Sequence, residues 1–84
     1  MYYVYILKSL KSNKIYIGIS KNPYKRLEEH NKGDSKFTKG YRPWILIYKE
    51  FIGNRKDARE REIELKRSYS KRLEVLKHSG VVQR

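Results

Sequence analysis

The chain has no cysteine and only two prolines in 84 residues, so neither a disulfide framework nor a thiolate metal site can hold its fold. It also lacks a long apolar run, and nothing approaches the ~20 residues needed to span a bilayer. The opening MYYVYILKSL has no basic n-region and no small-residue cleavage site, so a soluble protein working in the cytoplasm is expected. Acidic residues are scarce as well, 9 against 21 Lys and Arg, for a formal net charge of +12. That excess is beyond what solubility needs and favours a polyanionic partner, because each phosphate neutralised releases condensed counterions. Nucleic acid is preferred to a membrane surface here, since the cations are spread among tyrosines along the whole chain and not gathered on one amphipathic helix.

A chain of 84 residues makes one domain and one core with little margin. Tyr2 to Lys8, YYVYILK, is rich in aromatic and β-branched residues and predicts a strand. A polar turn, SLKSN, separates it from KIYIGIS at 14–20, where isoleucines 15, 17 and 19 alternate with Tyr16, Gly18 and Ser20. Period two puts the isoleucines on a core face and the small or polar groups on the other. A glycine inside a strand marks a bulge, a close approach of a ligand or another backbone, or simply a solvated face. Asn22-Pro23 supplies a helix N-cap and first turn and Gly33 a C-terminal glycine, which predicts a helix over about 22–32. KGDSKFTKGYRP has no apolar period and is expected to be a loop. Trp44 to Phe51 predicts a third strand, 54–68 a helix, and Ser70 the cap of a short last helix carrying Leu73 and Leu76. The expected fold is α+β, a small, mainly antiparallel three-stranded sheet flanked by helices in the order ββαβαα, with the domain over 1–77 and a frayed tail over 78–84.

One carboxylate stands apart. At ~100° per residue Ala58, Glu62, Leu65 and Tyr69 share a stripe, with Glu60 and Glu64 opposite. An acid aligned with an apolar stripe must be paired, hydrogen-bonded or holding a cation. Two readings stay open at this point: an ordinary i,i+4 pair with Lys66, or a ligand. Arg26 and His30, four apart, place a permanent cation beside a group that titrates near neutrality, either as solvated helix surface or as a site.

Taken in order, Tyr3-Val4-Tyr5, Tyr16-Ile17-Gly18, Arg26, His30 and Glu62 resemble the GIY-YIG nuclease superfamily over roughly residues 2–68. The likeness is to its small stand-alone bacterial members, which resemble the amino-terminal nuclease domain of the bacterial excinuclease. Tyr3 and Val4 replace the Gly and Ile of the first motif, while its functional tyrosine, Tyr5, is retained. The resemblance implies metal-dependent hydrolysis of phosphodiester bonds in DNA, structured or damaged, in repair or recombination. It implies a single Mg²⁺ or Mn²⁺ ion on Glu62, transition-state stabilisation by Arg26, and Tyr5 and Tyr16 around the attacking water. His30 would position water or phosphate, and Gly18 would let the sheet approach DNA. A phenol with pKa near ~10 is mostly protonated at neutral pH, so Tyr5 acts as a base only if nearby cations lower that value, and otherwise orients the water. Several members carry an Asn after the catalytic Glu, whereas this chain has none beyond Asn54. A non-catalytic nucleic-acid-binding module on the same fold is the alternative, and a basic adaptor for a protein partner a distant third.

Between Lys32 and Trp44, the cations Lys32, Lys36, Lys39 and Arg42 interleave with Phe37, Tyr41 and Trp44, a combination in which cations track phosphates and rings stack on unpaired bases. Trp44 is expected to pack in the core instead. A domain this small is expected to draw specificity from a structured substrate, a protein partner or a homodimer.

Overall fold

A computed structural model describes residues 1–78. Three antiparallel strands, β1 (Tyr2–Ser9), β2 (Ile15–Ser20) and β3 (Trp44–Gly53), form one sheet in the order β2-β1-β3. The helices are α1 (Pro23–Lys32), α2 (Lys36–Lys39), α3 (Arg55–Arg67) and α4 (Tyr69–His78). The main elements follow the expected α+β order ββαβαα, with the one-turn α2 added where a plain loop was expected. Four residues complete no apolar period, so no pattern announces them. The tail expected to fray lies, from residue 79 onward, outside the described residues.

Central β1 is buried on both faces, which explains its unbroken apolar run. Val4 and Ile6 meet Ile17 and Ile47, capped by Ala58 and Leu65 of α3. Tyr5 and Leu7 meet Trp44 on the other face, with Tyr16, Leu27 and Leu46 packed against them. Trp44 is thus a core residue, as expected. In β3 the register slips: Ile6 faces Tyr48 and Leu7 faces Leu46, leaving Ile47 as the extra residue of a β-bulge. Ile47 and Tyr48 both join the Val4 core, whereas Trp44 and Leu46 join the Tyr5 core. The bulge therefore turns one strand from one face to the other.

Helix ends follow their side chains. Asn22 Oδ1 accepts from Lys25 N–H at 3.2 Å, Pro23 opens α1, and Gly33 closes it at φ 89°. Asn54 Oδ1 accepts from Asp57 N–H at 2.8 Å to start α3. The last helix begins earlier than expected: Ser68, not Ser70, accepts from Lys71 N–H, at 3.2 Å. The chain breaks at Ser68, so Tyr69 leaves the α3 stripe and is 66% exposed. Ile15 also departs from expectation. It sits at the β2 end, 37% exposed, while Ile17 and Ile19 reach the core.

Candidate active site

The site is built where β1, β2 and α1 meet. Tyr5 and Gly18 are register partners, and both are buried. A Cβ on Gly18 would lie 2.8 Å from the Tyr5 hydroxyl oxygen and 3.0 Å from Tyr16 Cε2. The glycine therefore makes room for the hydroxyl end of a neighbouring tyrosine. The expectation that it lets DNA approach the sheet is corrected: the space is already filled by protein.

Tyr5 Oη stands 3.4 Å from Nε2 of buried His30, and the His30 Nδ1 stands 2.8 Å from Oγ1 of buried Thr38. The Trp44 indole N–H donates to the Thr38 carbonyl at 2.8 Å, fixing α2 beneath the imidazole. The Tyr16 ring packs 4.6 Å from His30, centroid to centroid, and 6.2 Å from Tyr5. Arg26 pairs with Glu29 on α1, and its guanidinium is close enough to Tyr5 to oppose the rise in the phenol's pKa. Tyr5, Tyr16, Arg26 and His30 thus form one cluster. Thr38 was not anticipated, because eight residues from His30 and inside an unpatterned stretch it carries no local signal.

The electrostatics follow from burial. Desolvation, joined by the charge of Tyr16, pushes Tyr5 up to about 12 against the pull of Arg26. At neutral pH Tyr5 is an uncharged phenol. Burial first, then the charge of Arg26, lowers His30 below its ordinary 6.5 despite Glu29, so its imidazole is neutral. A neutral ring donates through one nitrogen and accepts through the other. In the tautomer that carries its proton on Nδ1, the ring would donate to Thr38 and accept from Tyr5 at Nε2.

Glu62 comes from α3, in the opposite layer, and is 7% exposed. No hydrogen bond or ring contact among the described residues joins it to the tyrosine cluster, yet its charge is felt at Tyr5, where it raises the pKa. Lys66 Nζ pairs with Oε2 at 2.9 Å, so the i,i+4 pair exists. The other oxygen, Oε1, is buried without a hydrogen-bond partner among the described residues, and Arg59 Nη1 at 3.8 Å is too far to serve. An orphaned, buried carboxylate oxygen is costly and fits a cation. Among the described residues no group of three His, Cys, Asp or Glu gathers, which suits an ion held by one carboxylate and by substrate oxygens.

The expected nucleic-acid contacts surround α2. Lys36 and Tyr41 line one groove with Lys14 and Phe37, and Lys39 and Arg42 line another with Lys11. Lys32 is exposed at the end of α1 and lines neither of these grooves. Arg42 is partly committed to the fold: its Nε donates to the Lys39 carbonyl at 2.9 Å, and its Nη1 stands 2.8 Å from where a Gly33 Cβ would be. The motif residues Tyr3, Val4 and Ile17 lie on the sheet, with Val4 and Ile17 in the core and Tyr3 edge-on to Phe51.

Residues 1–74 match the GIY-YIG catalytic domain. The chain belongs to the GIY-YIG family. A UPF0213 protein of Clostridium perfringens is 36% identical over 83 residues, covering 96% of this chain and 88% of the relative. One from Pediococcus pentosaceus is 39% identical, covering 95% and 85%. The solution NMR structure of a UPF0213 protein from Bacillus halodurans superposes with a TM-score of 0.57 at 27% identity, over 94% of this chain and 86% of that one. The chain is thus similar to small bacterial proteins over most of both lengths, and to the solved one in fold. No described helix is long and apolar enough to cross a membrane.

Proposed function

We propose that this GIY-YIG domain is a divalent-metal-dependent endonuclease that hydrolyses phosphodiester bonds in structured or damaged DNA in the cytoplasm. The observation that carries the reading is the buried Oε1 of Glu62, without a hydrogen-bond partner among the described residues, together with the charge that Glu62 exerts on Tyr5 from across the sheet. Glu62 would hold a Mg²⁺ or Mn²⁺ ion, which supplies Lewis-acid stabilisation of charge on the phosphate. Arg26 adds a permanent cation for the same developing charge.

The chain's own residues then account for the proton. Tyr5, held as a phenol, is a poor base by itself. Behind it the neutral His30 can take the phenol proton at Nε2 as the phenol oxygen takes one from the attacking water. Thr38 would steady the imidazole through its hydrogen bond with Nδ1. Tyr16 walls the imidazole and limits access of bulk water.

The test is single-turnover cleavage by wild type, Glu62→Gln and Tyr5→Phe, with binding measured in parallel. Both variants are expected to bind DNA and to lose cleavage by on the order of a hundredfold or more. Unchanged cleavage in Glu62→Gln would remove the carboxylate from the mechanism. The absence of an Asn beyond Asn54 favours the second reading, a binding module without turnover on the same fold.

A further inference from the structure

Beside the catalytic cluster, on the outer side of α2, lies an open groove of about 450 Å³ bordered by Lys14, Tyr16, Lys36, Phe37, Tyr41 and Trp44. Its volume is within the ~300–1,000 Å³ typical of small-ligand sites. The ring of Phe37 is 87% exposed and makes no contact with another ring among the described residues. A phenylalanine held so far into water on a one-turn helix contributes nothing to the core. Tyr41 stands edge-on to Trp44 at 6.4 Å, and the Lys14 ammonium lies 5.6 Å from its ring centroid. The charged side chains of the border are both lysines, with no carboxylate among the lining residues.

We propose that this groove takes one unpaired nucleotide of a DNA strand, its base stacked on Phe37 and its phosphate met by Lys14 and Lys36. The inference deepens the nucleic-acid reading above and rests on it. Stacking needs an exposed apolar ring face, which a paired base inside a duplex cannot reach without leaving its stack. Lysines at the rim supply phosphate contacts whatever the base. The groove is continuous with the catalytic cluster through two residues. Tyr16 lines it and packs on His30, and Thr38 lines it and hydrogen-bonds His30. A nucleotide seated there lies against Tyr16 and Thr38, the two lining residues that touch His30, so the substrate class is DNA carrying an unpaired base beside the cut: a bulge, flap or fork.

The test uses the full chain in EDTA, where no cleavage is needed. A duplex carrying one unpaired 2-aminopurine is compared with the same duplex fully paired. The unpaired probe is expected to bind about tenfold more tightly, with its fluorescence quenched on binding. Phe37→Ala should lose that preference and the quenching, and leave the salt dependence as it was, since the ring carries no charge. Lys14→Gln and Lys36→Gln should each lower the slope of log affinity against log salt by about one. Because Phe37 is exposed, its variant keeps the fold, which circular dichroism verifies. Equal affinity of the wild type for both probes overturns the groove and leaves the nuclease reading standing, as does a Phe37→Ala variant with full preference. Failure to bind either probe overturns the nucleic-acid reading itself, and the groove with it.

Discussion

The hydroxyl of Tyr5 and Nε2 of His30 stand 3.4 Å apart, both buried, with Thr38 on the far side of the imidazole at 2.8 Å. Residues from a strand, a ten-residue helix and a one-turn helix thus form a single hydrogen-bonded line. Thr38→Val removes its last member and takes away the hydrogen-bond partner of buried His30 Nδ1. The variant should lose about 1–3 kcal/mol of stability in urea denaturation. Its cleavage rate should fall about tenfold or more, with DNA affinity little changed.

Gly18 tests how tightly that line is fixed. A methyl group there would press on the Tyr5 hydroxyl at 2.8 Å, and Tyr5 is buried. Gly18→Ala should cost about 1–3 kcal/mol by overpacking. Cleavage should be lost even at temperatures where the variant remains folded, which thermal melts and activity on one sample would separate.

The two titrating groups set the pH window. His30 has its pKa lowered in the fold, so below about 6.5 the unfolded chain binds more protons than the native one, and stability falls as pH falls from there toward the folded value. Tyr5 has its pKa raised to about 12, so above about 10 the unfolded chain releases its proton first, and stability falls as pH rises through that window. His30→Gln should flatten the acid side of a denaturation series between about pH 5 and 7. The acid limb of wild-type cleavage should lie below 6.5.

If Glu62 holds a metal ion, Lys66 would compete with it for the carboxylate. Its ammonium stands 2.9 Å from Oε2 and is half-exposed, so the pair is partly screened. Lys66→Gln should lower the Mg²⁺ or Mn²⁺ concentration for half-maximal cleavage roughly threefold to tenfold, as expected for removing one nearby cation. A higher requirement would mean that Lys66 holds the carboxylate in place.

Much of this was legible in the residues. The alternation in KIYIGIS, the Asn22-Pro23 start and the Gly33 stop each encode local geometry, and local geometry is what a sequence pattern reports. The burial of Glu62 was legible for the same reason, since one misplaced carboxylate stands out against a 3.6-residue stripe. What was missed depends on contacts between distant segments. Nothing near Gly18 says that a tyrosine from the next strand fills its missing side chain, nothing near His30 points to Thr38, and the slip at Ile47 exists only in the pairing of β3 with β1. The start of α4 was placed at Ser70, and the hydrogen bond from Lys71 N–H puts it at Ser68 instead, since the two serines are chemically equal as caps.

Whether this site cuts DNA with a metal held by Glu62 is decided by cleavage of duplex, flap, forked and single-stranded DNAs by the wild type and Glu62→Ala, with Mg²⁺ or Mn²⁺ and with EDTA. The wild type should cleave, EDTA should stop it, and Glu62→Ala should not cleave at all. Binding should be preserved in both, with a salt slope near about −4.5 if about five phosphates are contacted. Tight binding across the whole set without metal-dependent cleavage would contradict the nuclease reading and leave a nucleic-acid-binding module on a nuclease fold.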